Sequence, residues 1–152
     1  MINHLKSARK PNSEIDYHGH CVSLIREHQV YTTKYRKKVL VGKIADYADF
    51  IIRRICRNMG VRIISLAVNP EHVHIYFQHH PSLSSEYIKK RIKGISSRML
   101  RLAFPELVKW CPKALWSPSA WHGSVGHGSD VVEKYIENQK PTEHQSSIEL
   151  CA

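Results

Sequence analysis

The stretch "VRIISLAVNPEHVHIYFQ" constrains this chain more than any other. Two apolar runs, 61–68 and 72–78, are rich in β-branched and aromatic residues, and "NPE" breaks them with turn-forming chemistry. Strands joined by so short a connection pair antiparallel, so the spacing predicts a hairpin. In the second strand Val73, Ile75 and Phe77 alternate with His72, His74 and Tyr76. Successive side chains leave a strand on opposite sides, so one face is apolar and the other carries two imidazoles.

The segments around the hairpin decide what covers the apolar face. "SLIREHQVYTTKYR" (23–36) predicts a strand near 26–34. Residues 43–59 place Ile44, Ala48, Ile51, Ile52, Ile55 and Met59 on one helical face, and Gly60 suits a left-handed stop. A second amphipathic helix, 84–104, carries Ile88, Ile92, Ile95, Met99 and Leu102 as its stripe and ends at Pro105. "ALWSPSAWHGSV" (114–125) reads as a broken strand or two short ones, and "SDVVEKYIENQK" (129–140) as a third helix capped by Ser129 or Asp130. The order β-α-β-β-α-β predicts an α+β fold, a ferredoxin-like or RRM-like split βαβ sheet with helices on one face, plus a C-terminal helix. Val73, Ile75 and Phe77 are then expected to face the helices, and His72, His74 and Tyr76 an open face. Residues 1–20 read as a basic flexible arm, 21–140 as the domain, and 141–152 as a polar tail.

Charge points to a partner. The 152 residues hold 23 Lys and Arg against 13 Asp and Glu, a net charge of +10, which favours an anionic partner such as nucleic acid. The bland reading is a basic surface with no partner. Lys34, Arg36, Lys37 and Lys38 form one cluster, and Lys89, Lys90, Arg91, Lys93 and Arg98 line the second helix. The four cysteines form no C-x-x-C pair and read as thiols of a reducing compartment. With neither a membrane-length apolar run nor an apolar leader in sight, the expected location is cytoplasmic.

Two imidazoles on one sheet face can converge on a divalent ion. In a chain with 11 histidines an H-x-H pair also arises by chance. Tyr135 and Gln139 lie one turn apart on the last predicted helix. A tyrosine can act as a nucleophile and a glutamine carbonyl as a hard-ion ligand. Equally, they are a packed ring and a solvated amide.

"EHVHIYF", "KGISSRMLR", "LWSPSAWHGSVG" and "VVEKYIENQ", in that order, resemble the single-tyrosine HUH transposases of the IS-two-hundred/IS-six-hundred-five insertion-sequence family. "TTKYRKKVL" is also typical of them, and the likeness covers about residues 21 to 140. The resemblance implies a metal-dependent enzyme that cleaves and rejoins single-stranded DNA through a 5′-phosphotyrosine intermediate. It implies that His72, His74 and Gln139 bind Mg²⁺ or Mn²⁺ and that Tyr135 is the nucleophile. The glycines at 123, 126 and 128 suit a movable tyrosine helix. The expected partners are single-stranded DNA or DNA hairpins at element ends and a second copy of the chain, with active sites shared between the two. Two alternatives stand beside this: a non-catalytic RRM-like nucleic-acid-binding module, and a domesticated relative acting on chromosomal repeats.

Overall fold

The structure is a computed structural model that describes residues 16–18, 21–23 and 25–124. Its main sheet has four strands, β3 (Ile25–Thr32), β4 (Arg62–Asn69), β5 (His72–His79) and β6 (Trp121–Ser124), in the order β4-β5-β3-β6. Every pairing is antiparallel. Helix α1 (Gly42–Met59) connects β3 to β4, and α2 (Ser85–Ala103) connects β5 towards β6. This is the split β-α-β arrangement expected from the hydrophobic pattern. The predicted helix at 129–140, with Tyr135 and Gln139, lies outside the described residues. A small hairpin of β1 (Asp16–His18) and β2 (Cys21–Ser23) was not expected, and part of it falls in the segment read as an arm.

One core holds the layers together. Tyr31 of β3, Leu66 of β4, and Val73, Ile75 and Phe77 of β5 meet Ile51, Ile52 and Ile55 of α1 and Ile88, Ile92 and Leu100 of α2. Burying each large aliphatic or aromatic side chain stabilises by about 1.5–3 kcal/mol. A one-residue slip of β5 would exchange this apolar set for the histidines, so its register is strongly determined. Gly60 closes α1 at φ 72°, the left-handed cap its position suggested. Cys56 and Cys111 are buried thiols without disulfide partners.

Two expectations need correction. Leu102 is 65% exposed, and Leu100 takes the buried place on α2. The stripe runs along 88, 92, 96 and 100, a four-residue step that leaves 102 on the far side. One buried serine, Ser96, lies in that stripe and a second, Ser97, beside it. Ser96 accepts a hydrogen bond from Trp116 Nε1 at 2.9 Å, and Ser97 accepts one from Leu115 N at 2.9 Å. Their small size lets the 114–117 segment lie against the helix, and Thr33 bridges to Trp116 on its other side.

The second correction concerns the sheet face opposite the helices. It is not open at its centre: Tyr76 is 0% exposed and His74 only 7%. Strand β5 is an inner strand, so β3 and β4 flank its side chains on both sides. Tyr76 packs with Ala67 and Ile64 in a small separate cluster.

Replacing Ser96 with Ala leaves the buried Trp116 N–H without its acceptor. The expected cost is about 1–3 kcal/mol in urea denaturation, with the m-value unchanged. A stability equal to the wild type would show that this bond does not hold the segment.

Candidate functional site

The histidine face is built by register. Thr32 opposes His72, Val30 opposes His74, and His28 opposes Tyr76 across the β3–β5 ladder. On the other side Asn69 opposes His72 and Ala67 opposes His74. Residues two apart on a strand share a face, so His28 of β3 and Asn69 of β4 flank the His72–His74 pair.

All four make contact. The rings of His72 and His74 stand edge to face with centroids 4.9 Å apart. His28 Nε2 and His74 Nδ1 are 3.1 Å apart and share a hydrogen bond, with the rings stacked at 5.3 Å. The Asn69 amide lies 3.1 Å from His72 Nε2. His72 Nδ1 is buried with no hydrogen-bond partner among the described residues, and the Glu71 carboxylate stands 4.0 Å away. With the Asn69 carboxamide turned half a rotation, its oxygen accepts Nε2–H and Nδ1 carries a lone pair.

Burial sets the charge state. It pushes His74 down to about 4, reinforced by His72 and His28. It also lowers His72 and His28, although Glu71 pulls His72 the other way. These imidazoles are therefore neutral at neutral pH, the form that ligates a metal. An orphaned ring nitrogen beside a second neutral ring fits a divalent cation. Among the described residues no group of three or more His, Cys, Asp or Glu is arranged to hold one, so a cation there would need further donors.

The two basic clusters separate in space. The Lys34–Lys38 segment adjoins the histidine face: Arg36 pairs with Glu71 at 3.3 Å, and Glu71 immediately precedes His72. Helix α2 packs on the Val73, Ile75 and Phe77 side of the sheet, so its cations do not flank the histidines. Lys89 and Lys90 pair with Glu86 at 2.5 and 3.9 Å. Lys93 Nζ donates to the carbonyls of Ser117, Pro118 and Ser119, holding the approach to β6. Arg91 and Arg98 are exposed. Tyr135 and Gln139 lie outside the described residues. Sequence reading missed His28 and Asn69. The alternation of "REHQV" could have placed His28 on one face, but not which face, or beside which residue.

Comparisons with known proteins agree on one group. Residues 21–139 match a family model described as "Transposase IS200 like". The chain is 35% identical over 118 residues to the ISDra2 transposase TnpA of Deinococcus radiodurans, covering 76% of this chain and 84% of that one. It is 27% identical over 113 residues to the transposase for insertion sequence element IS200 of Salmonella typhimurium, covering 74% of each. A solved structure described as a transposase from Deinococcus radiodurans R1 superimposes with a TM-score of 0.67 at 32% identity, over 84% of this chain and 98% of that one. A REP-associated tyrosine transposase bound to a REP hairpin shares the fold, with a TM-score of 0.56 at 17% identity over 80% and 69% of the two chains.

The histidine cluster predicts a pH dependence for the metal-free protein. Folded His74 stays neutral down to about pH 4, whereas the unfolded chain protonates it near 6.5. Between those values the unfolded state binds more protons, so stability is full above pH 6.5 and is lost as pH falls towards 4. The loss is expected to be on the order of 2 kcal/mol in urea denaturation at stepped pH, and His74→Gln should flatten it. An unchanged slope in that variant would assign the loss to other groups.

Proposed function

Because this chain belongs to the IS200-like transposase family, we propose that it cleaves and rejoins single-stranded DNA at insertion-sequence ends through a 5′-phosphotyrosine intermediate. The observation that carries the reading is the pair of neutral imidazoles of His74, buried, and His72, half-buried, close together on the sheet face opposite the helices. His72, His74 and Gln139 would hold Mg²⁺ or Mn²⁺. When bound, that ion withdraws charge from a non-bridging phosphate oxygen.

The rest is done by the chain's own groups. His28 and Asn69 fix the orientation of the two imidazoles, as outer partners of metal-binding histidines generally do. The phenol oxygen of Tyr135 attacks phosphorus. An O–P bond to tyrosine forms, the bond to the 3′ oxygen breaks, the phenol loses its proton and the 3′ oxygen gains one. The phosphotyrosine retains the bond energy, so a new 3′-OH reverses the step without ATP. A phenol ordinarily ionises near pH 10, so neighbouring cations must assist its deprotonation.

Placement of two other tyrosines supports this choice. Tyr76 is buried within β5, and Tyr87 stands at the start of α2 on the helical layer. Lys34, Arg36, Lys37 and Lys38 beside the histidines are the first contacts for the DNA backbone; Arg91 and Arg98 on α2 offer a second surface. DNA hairpins are included as ligands. The working unit is a homodimer in which the tyrosine of one chain serves the histidines of the other.

Tyr135→Phe is expected to bind DNA and form no covalent adduct, with stability changed by less than about 1 kcal/mol. Mass spectrometry of the wild-type adduct should place the nucleotide on the peptide containing "YIENQK". His72→Ala and His74→Ala should each abolish Mg²⁺-dependent cleavage. An adduct on another tyrosine, or binding with no adduct at all, would defeat the proposal; the latter would favour a non-catalytic binding module.

A shared site has its own test. Mixing Tyr135→Phe chains with His72→Ala chains should restore part of the cleavage that neither has alone. Self-contained sites would restore none.

A further inference from the structure

We infer that Tyr35 is a stacking platform for a nucleobase, and that it sets the register of the single strand relative to the histidine face; this rests on the proposed DNA function. Tyr35 and Arg36 are consecutive non-glycine residues at positive φ, 58° and 51°. Side chains disfavour this left-handed region, and such residues persist only where the surroundings determine them.

Here the surroundings do. Thr33, fully buried, donates through Oγ1 to the carbonyls of Lys37 at 2.7 Å and Glu71 at 3.1 Å. Backbone bonds run from Thr33 N to Glu71 O at 2.8 Å, from Lys34 N to Leu115 O at 2.8 Å, and from Arg36 N to Thr33 O at 2.9 Å. This turn holds the Tyr35 ring 80% exposed, the most exposed large apolar side chain among the described residues. A glycine would make the same turn without strain. A strained turn that lifts an aromatic ring out of the protein calls for a partner for the ring.

The neighbours indicate its chemistry. Lys34 Nζ lies 5.5 Å from the ring centroid, and Arg36, Lys37 and Lys38 follow it in sequence. The carboxylate beside the turn, Glu71, is paired with Arg36. A ring set among cations suits a ligand that alternates flat apolar groups with negative charge, which is single-stranded nucleic acid. Location gives the role. Thr32 opposes His72 in the ladder, and Glu71 touches the turn through its carbonyl and Arg36 through its carboxylate. A base stacked on Tyr35 is thereby fixed relative to a phosphate held at His72 and His74.

The test compares Tyr35→Ala, Tyr35→Gly, Tyr35→Phe and Tyr35→Trp in the full chain. The probe is a fluorescein-labelled oligo(dT) of about 16 nucleotides, read by anisotropy at several salt concentrations. The Ala and Gly variants should bind about ten-fold more weakly, with the salt slope unchanged because no charge is lost. Phe and Trp should bind within about two-fold of the wild type, and Tyr35→Phe should still form the covalent adduct. Melting temperatures should not fall in the Gly variant. Wild-type affinity in Tyr35→Ala overturns the inference alone and leaves the function standing. Equal weakening in Phe and Ala overturns it too, since the hydroxyl would then be the contact. Loss of binding with a lowered melting temperature in both Ala and Gly assigns the ring a structural role. Unchanged DNA binding with self-association lost in sedimentation assigns it to a protein interface. A wild-type protein that binds no oligonucleotide removes the DNA reading and this inference together, whereas binding without adduct removes only the chemistry.

Discussion

The pairing of β3 with β5 is the interaction on which the rest depends. It is an inner ladder with eight residue pairs from Ile25–His79 to Thr32–His72. It fixes which side of β5 meets the helices. Val73, Ile75 and Phe77 enter the core, and the same alternation delivers His72 and His74 to the opposite side. Core and site are therefore two faces of one strand. The apolar burial that stabilises the first also aims the second, because a slip in register would lose both.

The histidine face combines burial with polarity in an unusual way. Imidazoles screened from water favour their neutral form, and neutral rings are good ligands and poor charges. The fold keeps three of them close without mutual repulsion by keeping them uncharged. Each of the two central rings has a polar neighbour that limits its rotation, His28 for His74 and Asn69 for His72. Orientation here comes from neighbouring strands, so the site needs no loop to define it. Loops act at the rim instead. The turn at 34–36 is held by Thr33 and by Glu71, the residue just before His72, which links the basic cluster to the histidine face.

The helical layer serves the site at a distance. Ser96 in the apolar stripe and Ser97 beside it present two small hydroxyls that receive Trp116 and Leu115. Lys93 binds three carbonyls of the next loop. Together they fix the approach to β6, the strand that completes the sheet beside β3. The motif "KGISSRMLR", basic enough to suggest a nucleic-acid face, thus includes residues that secure the fold. A charged or hydroxylated residue in a helix does not reveal from sequence whether solvent, ligand or loop will meet it.

The sequence by itself determined the order of the main-sheet strands and the two helices between them, the antiparallel pairing, the helix stops and the division of β5 into an apolar and a histidine side. These follow from periodicity and turn chemistry, which act over a few residues and are visible in one dimension. The match of "EHVHIYF" and its companion motifs to a known family was legible for the same reason. Only the tertiary structure decided that His28 and Asn69 join the pair and that His74 and Tyr76 are covered. Each of these depends on contacts between residues far apart in the chain: 46 positions separate His28 from His74. Such contacts are set by the order and register of strands distant in the chain, which leave no local pattern in the sequence.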